Sequence, residues 1–411
     1  MTDETKSSLK KWGLRALMTL IPIILGAIGG TQFTTPKTVE VERKIEVPVP
    51  VPQLDEFEPS RMGWLRDDET IRTNLDQAKT LHFVTTPAGK AALGDEDVFL
   101  YRTVRGVNGR GSDWYPNVNQ QSVGCCVGCG FKHGADVVQA TAIAAGASFE
   151  WKAAAVEAIY AGSRVEVGRG QIRGDGSMGA WASEWLKSRG GLIPMEKLGK
   201  YDLTTFSPAR ARQWGVSGVP DELEADAKKH AVRGAALVTT ADDVKRALMQ
   251  GYPVPVCSNV GFNNRDGSVG TRDSQGFISP RGTWPHCMCF IGWRNGSRPG
   301  ALCLNSWGDQ AHGGPVWPED APRAAFWVDA SVVERMVSQG DSFALADVAG
   351  FPARTPDWFI RTEQEKELSG WGKIVKAEPR LRLPLFEKVH SQDSFGNRSS
   401  TVWYLEFPLA P

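Results

Sequence analysis

Two short segments of this chain carry residue types that do chemistry together. The first is Asn119-Gln120-Gln121-Ser122-Val123-Gly124-Cys125-Cys126-Val127-Gly128, in which turn-forming residues lead into a run of small ones. Cys126 therefore falls at the start of an expected helix, where unsatisfied backbone N–H groups and the helix dipole favour negative charge. A thiol there is expected to have a lowered pKa, and the thiolate is the attacking species. Gln120 lies six residues earlier, on the loop side. Its side-chain amide can aim at the space faced by the Cys126 backbone N–H, giving two donors for an oxyanion.

The second segment supplies partners for that sulfur. A thiolate needs a group that holds the ion pair and then protonates the leaving amine, and histidine suits both steps near neutral pH. His286 opens the buried-looking strand His286-Cys287-Met288-Cys289-Phe290-Ile291-Gly292-Trp293. A third group should orient the imidazole, and Cys303-Leu304-Asn305-Ser306-Trp307-Gly308 provides Asn305 as hydrogen-bond acceptor. Trp307 is positioned to shield that bond from water.

Blander readings compete for the remaining candidates. A cysteine is more often a small buried hydrophobe than a nucleophile, which suits Cys287, Cys289 and Cys303 in their apolar strands and Cys125 and Cys129 on the helix. A Cys125–Cys126 disulfide acting as a redox lock is a sharper alternative. Cys-Cys-x-x-Cys and His-Cys-x-Cys hold enough sulfur for zinc or an iron–sulfur cluster, but that reading leaves Gln120 and Asn305 unused. A metal centre is therefore not the expected reading. His82, His133, His230, His312 and His390 have no partner at readable spacing and are expected to be structural or exposed.

The elements that must position these groups read as follows. Residues 130–160 are rich in alanine and small apolar residues, the composition of buried helices. Residues 180–186 repeat an apolar face at helical spacing and stop at Gly190-Gly191. Pro253 to Val256 and Cys287 to Trp293 are β-leaning runs. Helix-rich first and strand-rich second suits an α+β domain of two lobes. Equal numbers of basic and acidic residues, 47 each, call for no nucleic-acid partner.

The ends differ in character. Residues 1–33 hold a basic flank and an apolar run, Leu14 to Gly30, broken by Arg15 and Pro22; its length is near the lower limit for crossing a bilayer. The basic side favours leaving that end in the cytoplasm, so membrane anchoring with the folded domain outside the cytoplasm is the expectation. A cleaved signal peptide and a secreted or virion-associated protein are the alternatives. Residues 34–60 form a proline-rich spacer, since alternating prolines sustain neither helix nor interior strand. Residues 61–105 read as a leader or pro-like segment, 106–352 as the chemical domain, and 353–411 as an extension of unreadable role.

The pattern Gln-x-Ser-Val-Gly-x-Cys-Val-Gly, then a strand opening with His286, then Asn-Ser-Trp-Gly, resembles the papain-like (C1) cysteine peptidases, in a bacterial or phage-type branch. The resemblance spans Trp114 to Ser342. It implies the two-lobed papain-like fold, with a helical lobe facing a β-barrel-like lobe. It further implies Cys126 as nucleophile, His286 as acid/base, Asn305 as orienter, Gln120 in the oxyanion hole and Trp307 as cover over the His–Asn bond. Gly174-Asp175-Gly176-Ser177 resembles the glycine loop along which family substrates lie, so Gly174 and Gly176 are expected at an extended polypeptide substrate. The chain departs from the family at Cys125, Val123 and Val127, and the usual helical inhibitory motif is not recognisable before Trp114. A Cys–His amidase or peptidoglycan hydrolase, and a non-catalytic protein of the same fold, remain open as alternatives.

Overall fold

The computed structural model describes residues 61–109, 114–189, 191–227, 232–354, 380–392 and 398–408. The expected apolar segment of residues 1–33 and the spacer 34–60 lie outside the described residues. Among those described, no helix is long and apolar enough to cross a membrane.

In chain order the first elements are α1 Asp68–Gln77, β1 Leu81–His82, β2 Val98–Phe99, α2 Tyr101–Val107, α3 Cys126–Ala144, α4 Val156–Gly162 and α5 Gly179–Glu184. Next come β3 Lys197–Leu198, β4 Tyr201–Asp202, α6 Pro208–Ser217, α7 Asp221–Ala227, β5 Gly234–Leu237 and α8 Ala241–Met249. The remainder are β6 Val254–Val260, β7 Thr283–Arg294, β8 Gly300–Leu304, β9 Ala325–Asp329, α9 Ala330–Val337, β10 Phe343–Ala346, β11 Arg380–Gln392 and β12 Arg398–Pro408. The fold is the expected two-lobed α+β arrangement. Helices α3 to α7 make one lobe, and a curled antiparallel sheet with β7 at its centre makes the other.

Local sequence explains the elements that matter for the site. Helix α3 is buried from Cys126 to Ala142, and its glycines let it press into the sheet. A Cβ at Gly130 would lie 2.7 Å from Cys287 Sγ, and one at Gly134 would lie 2.9 Å from Pro255 and Leu345 side-chain atoms. So long a buried helix tolerates few polar groups, and two of those it has pair with each other. Lys132 and Asp136 form an ion pair at 2.6 Å, one helical turn apart and both fully buried. Asp136 also accepts from Ala154 N–H at 2.8 Å, which ties α3 to the start of α4.

Strand β7 carries the apolar run expected of an interior strand. Ser258 of β6 lies opposite His286 and Cys257 opposite Cys287 on one side, while β8 pairs along the other. Asn305 follows directly on β8. Three core clusters form among the described residues, the smallest of them around Val118, Val123, Cys125 and Cys129. Of the others, one surrounds the sheet, and the second lies between the helices and the cleft, containing Trp64, Cys126, Cys257, Cys287, Trp181 and Phe343.

Residues 61–105 are not a body apart from the domain. β1 pairs in parallel with β5, whose other side takes β10, and β2 pairs with the end of β7. The boundary expected at residue 105 is therefore crossed by sheet hydrogen bonds. In the C-terminal extension, β11 and β12 form a two-stranded antiparallel ribbon.

Candidate active site

Cys126 begins α3 and is fully buried. The loop before it is held from several directions. Gly124 N–H donates to Asp175 at 3.0 Å, and Arg212 donates to the Ser122 carbonyl at 2.7 Å. Gln120 is joined to the opposite lobe: its N–H donates to the Ser306 carbonyl at 2.9 Å, and its Oε1 accepts from Ser306 Oγ at 2.6 Å. That second bond fixes the amide so that Nε2 points into the cleft.

On the sheet side, His286 and Asn305 meet with His286 Nε2 and Asn305 Oδ1 at 2.9 Å. Asn305 Oδ1 also receives the Ser306 backbone N–H at 2.7 Å. Because the backbone amide can only donate, that end of the side chain is the oxygen, and His286 Nε2 carries its proton. Nδ1 is then the basic nitrogen, and it has no hydrogen-bond partner among the described residues. Trp307 packs on the imidazole with ring centres 4.8 Å apart, and Trp284 packs on Trp307 at 4.6 Å. These rings keep water from the His286–Asn305 bond. Cys126 shares a core cluster with Cys287, the residue after His286, whose amide favours the thiolate.

The cleft between these groups is filled by the chain itself. Residues Arg61 to Leu65 run through it as an extended strap. Gln120 Nε2 donates to the Arg61 carbonyl at 2.9 Å. Trp64 N–H donates to the Pro285 carbonyl at 3.0 Å, beside His286, and Gly63 N–H shares that acceptor at 3.2 Å. Ser177 N–H donates to Gly63 O at 2.8 Å and Ser177 O accepts from Leu65 N–H at 2.9 Å, a parallel bridge centred on Trp64. The Trp64 ring is buried, and its indole N–H donates to Asp341 at 2.8 Å. The Gly63 amide also favours the Cys126 thiolate. Only glycine fits at position 63, where a Cβ would lie 1.9 Å from the Gly124 carbonyl oxygen.

Burial under the strap sets the electrostatics. Desolvation pushes the Cys126 thiol well up, although the Cys287 and Gly63 amides pull the other way. This overturns the expected lowered pKa: dipole and amides favour the thiolate, but removal of water outweighs them. Burial likewise lowers His286 to about 4, against the Asn305 bond, which raises it. In this closed state both partners are neutral. Asp341 is raised to about 7 by burial, opposed by the Trp64 indole and the Gly179 and Ala180 amides that donate to it.

The structure links Gln120 to Ser306 and His286 to Asn305, with Trp307 over the imidazole and the Arg61 guanidinium of the strap 5.9 Å from the Trp307 ring. Gly176 lies against the strap: a Cβ on it would meet Leu65 Cγ at 2.8 Å. Gly174 is a correction. It has φ +80, its carbonyl is taken by Arg164, and a Cβ there would meet nothing, so it shapes the turn without touching the strap. The backbone partner is Ser177 instead. Sequence reading also missed the Pro285 carbonyl, Asp341, His312 and the strap, because none sits at a readable spacing from Cys126. All seven cysteines are free thiols, and Cys125 contacts Cys129 at 3.9 Å and not Cys126. Among the described residues no group of His, Cys, Asp and Glu side chains is placed to hold a metal ion.

Compared with known proteins, the chain matches no family model and no curated protein. Solved structures similar to it include xylellain, a cysteine protease from Xylella fastidiosa, at 17% identity over 72% of this chain and 99% of that one, with a TM-score of 0.48. Procathepsin B S9 from Trypanosoma congolense is similar at 10% identity over 71% and 87%, with a TM-score of 0.43. Procathepsin L2 from Tenebrio molitor larval midgut is similar at 14% identity over 70% and 78%, with a TM-score of 0.42.

Proposed function

We propose that this chain is a cysteine endopeptidase that hydrolyses peptide bonds through a thioester acyl-enzyme, and that residues 61–65 hold it closed. The observation that carries this reading is the cleft's occupant. An extended polypeptide is paired to Ser177 and Pro285, with a carbonyl on the Gln120 amide. A cleft that binds peptide backbone in this way suits a polypeptide substrate.

With the strap gone, water reaches the pair, and the cost of charging both groups falls. The thiol proton moves to His286 Nδ1, giving thiolate and imidazolium, with Asn305 holding the other nitrogen. The thiolate attacks the scissile carbonyl carbon, and its oxygen takes the negative charge against Gln120 Nε2 and the Cys126 backbone N–H. The carbon–nitrogen bond breaks as Nδ1–H protonates the departing amine, leaving a thioester. Water then gives a proton to Nδ1 and attacks the thioester. The acid is released, and the sulfur regains its proton.

The chemistry needs neither metal nor cofactor. The amidase and peptidoglycan-hydrolase reading shares the thioester step and differs in substrate. It is separated by assaying the full-length Trp64→Ala chain on an unfolded protein, on small amides and on peptidoglycan. Cleavage of the unfolded protein that disappears in Cys126→Ala and His286→Ala is the expected result. Cleavage of peptidoglycan alone favours the second reading, and undiminished proteolysis by Cys126→Ala refutes both. The apolar residues 1–33 and the spacer 34–60 support a membrane-tethered domain outside the cytoplasm. Recovery of the full chain in the soluble fraction alone would refute the tether.

A further inference from the structure

The hydrogen bonds behind His286 do not end at Asn305. Asn305 Nδ2 lies 3.0 Å from His312 Nε2, and His312 Nδ1 lies 3.0 Å from the Gly270 carbonyl. A carbonyl only accepts, so Nδ1 carries the His312 proton and Nε2 is left as an acceptor for the Asn305 amide. We propose that His312 is a positioning residue: by taking the nitrogen end of the Asn305 side chain, it fixes which nitrogen of His286 carries the proton. This rests on the reading of His286 as the base that faces Cys126.

The reasoning is about a side chain with two nearly identical ends. Rotating an amide by half a turn barely changes its shape, so only hydrogen bonds hold its orientation. Ser306 N–H fixes the oxygen end and His312 fixes the other. In the flipped orientation the NH2 group would face His286 Nε2. That nitrogen would then have to accept, moving its proton to Nδ1, where it blocks uptake of the thiol proton. His312 makes the flip costly, because its acceptor would be left buried and facing an oxygen.

The surroundings hold His312 itself in one state. It is buried, its ring packs on Phe326 at 4.8 Å, and its carbonyl is held by Arg272 at 2.6 Å. The Gly270 carbonyl is fixed by its own backbone, whose N–H donates to Phe262 O at 2.8 Å. Protonation would place an N–H against the Asn305 NH2. Burial, with Arg272 and His286 nearby, lowers His312 to about 3, although the Gly270 bond raises it.

The test uses the full-length Trp64→Ala chain and compares His312→Phe, which keeps the ring without its nitrogens, with His312→Gln, which restores a carbonyl at the reach of Nε2. The His286 tautomer is read from its 15N chemical shifts, and kcat and KM are measured on a peptide. His312→Phe is expected to shift His286 from the Nε2–H toward the Nδ1–H form and to lower kcat about tenfold, the effect of roughly one lost hydrogen bond, with KM changed less. His312→Gln should restore both. An unchanged tautomer and kcat in His312→Phe overturns the proposal. So does a folded His312→Gln chain that presents mainly the Nδ1–H form. If no chain cleaves peptide, the peptidase reading fails, but the tautomer shifts still decide this one.

Discussion

Replacing Trp64 by alanine should open the cleft. The ring is 2% exposed, sits in the core cluster with Cys126, Cys257 and Cys287 and closes on Asp341 at 2.8 Å. Truncating a buried tryptophan to alanine costs about 3–5 kcal/mol. The open state, in which Trp64 already faces water, loses little of this. The closed state is thus weakened relative to the open one by about 3–5 kcal/mol, and at about 1.4 kcal/mol per tenfold the open fraction rises by roughly two to three and a half powers of ten. The assay is the rate of Cys126 alkylation by iodoacetamide at neutral pH, located by peptide mapping. The other six thiols report on unfolding, since all are buried. Cys126 should react faster by the stated factor until the open state dominates, while Cys289 and Cys303 stay protected. Gly63→Ala is a second route to the same state, because its Cβ would strike the Gly124 carbonyl. If Cys126 reacts at the parent rate in both folded variants, the strap does not guard the sulfur.

Other outcomes follow from the same geometry. Once Trp64 leaves, Asp341 forms the end of an emptied pocket, so side chains that donate there should be preferred. In the Trp64→Ala chain, Asp341→Asn should lower kcat/KM for peptides with arginine at that subsite, relative to leucine, by about fivefold, the worth of one ion pair of about 1 kcal/mol; an unchanged ratio would remove Asp341 from specificity. Acid should destabilise the fold. His286 at about 4 and His312 at about 3 stay neutral when folded, whereas free histidine takes a proton near 6.5. The unfolded chain therefore gains protons first, and stability falls from about pH 6.5 toward 4, with His286 alone contributing on the order of 3 kcal/mol. Asp341 opposes this, because its folded pKa of about 7 exceeds the unfolded 3.8 and favours the fold more at low pH. Asp341→Asn should therefore steepen the acid loss seen in urea midpoints, and a flat profile would contradict the buried-neutral histidines. Finally, Lys132→Met leaves Asp136 buried without its cation and should cost about 3–5 kcal/mol, with much of it recovered by adding Asp136→Asn. An additive double variant would show that the two do not act as a pair.

How much of this was legible in the sequence depended on whether the partners were close in the chain or had a distinctive local pattern. Cys126 at a helix start, His286 on an interior strand and Asn305 after the next strand are local readings; His286 and Asn305 meet in a hydrogen bond, and Cys126 shares a core cluster with Cys287, the residue after His286. The pKa of Cys126 was not legible, because it is set by water exclusion under residues some sixty positions earlier. Trp64 and Asp341 are 277 positions apart, and neither has a pattern that points to the other. The glycine loop divided: Gly176 is needed for close approach of the strap, while Gly174 is needed only for its φ. His312 looked unpartnered because its partners, Asn305 and Gly270, are joined by tertiary packing and not by any regular spacing. The leader at 61–105 carried no strong local signal, and its pairing with β5 and β7 depends on strands far along the chain.

The central claim is that the Cys126 sulfur carries the acyl group. It is tested most directly by mixing the full-length Trp64→Ala chain with an activated peptide ester, quenching in acid and mapping the trapped acyl mass. The account requires that mass on the Cys126 peptide, labile to hydroxylamine as a thioester is, and absent from Cys126→Ala. An acyl group on Cys129, Cys287 or a hydroxyl side chain of a chain that turns over would contradict it.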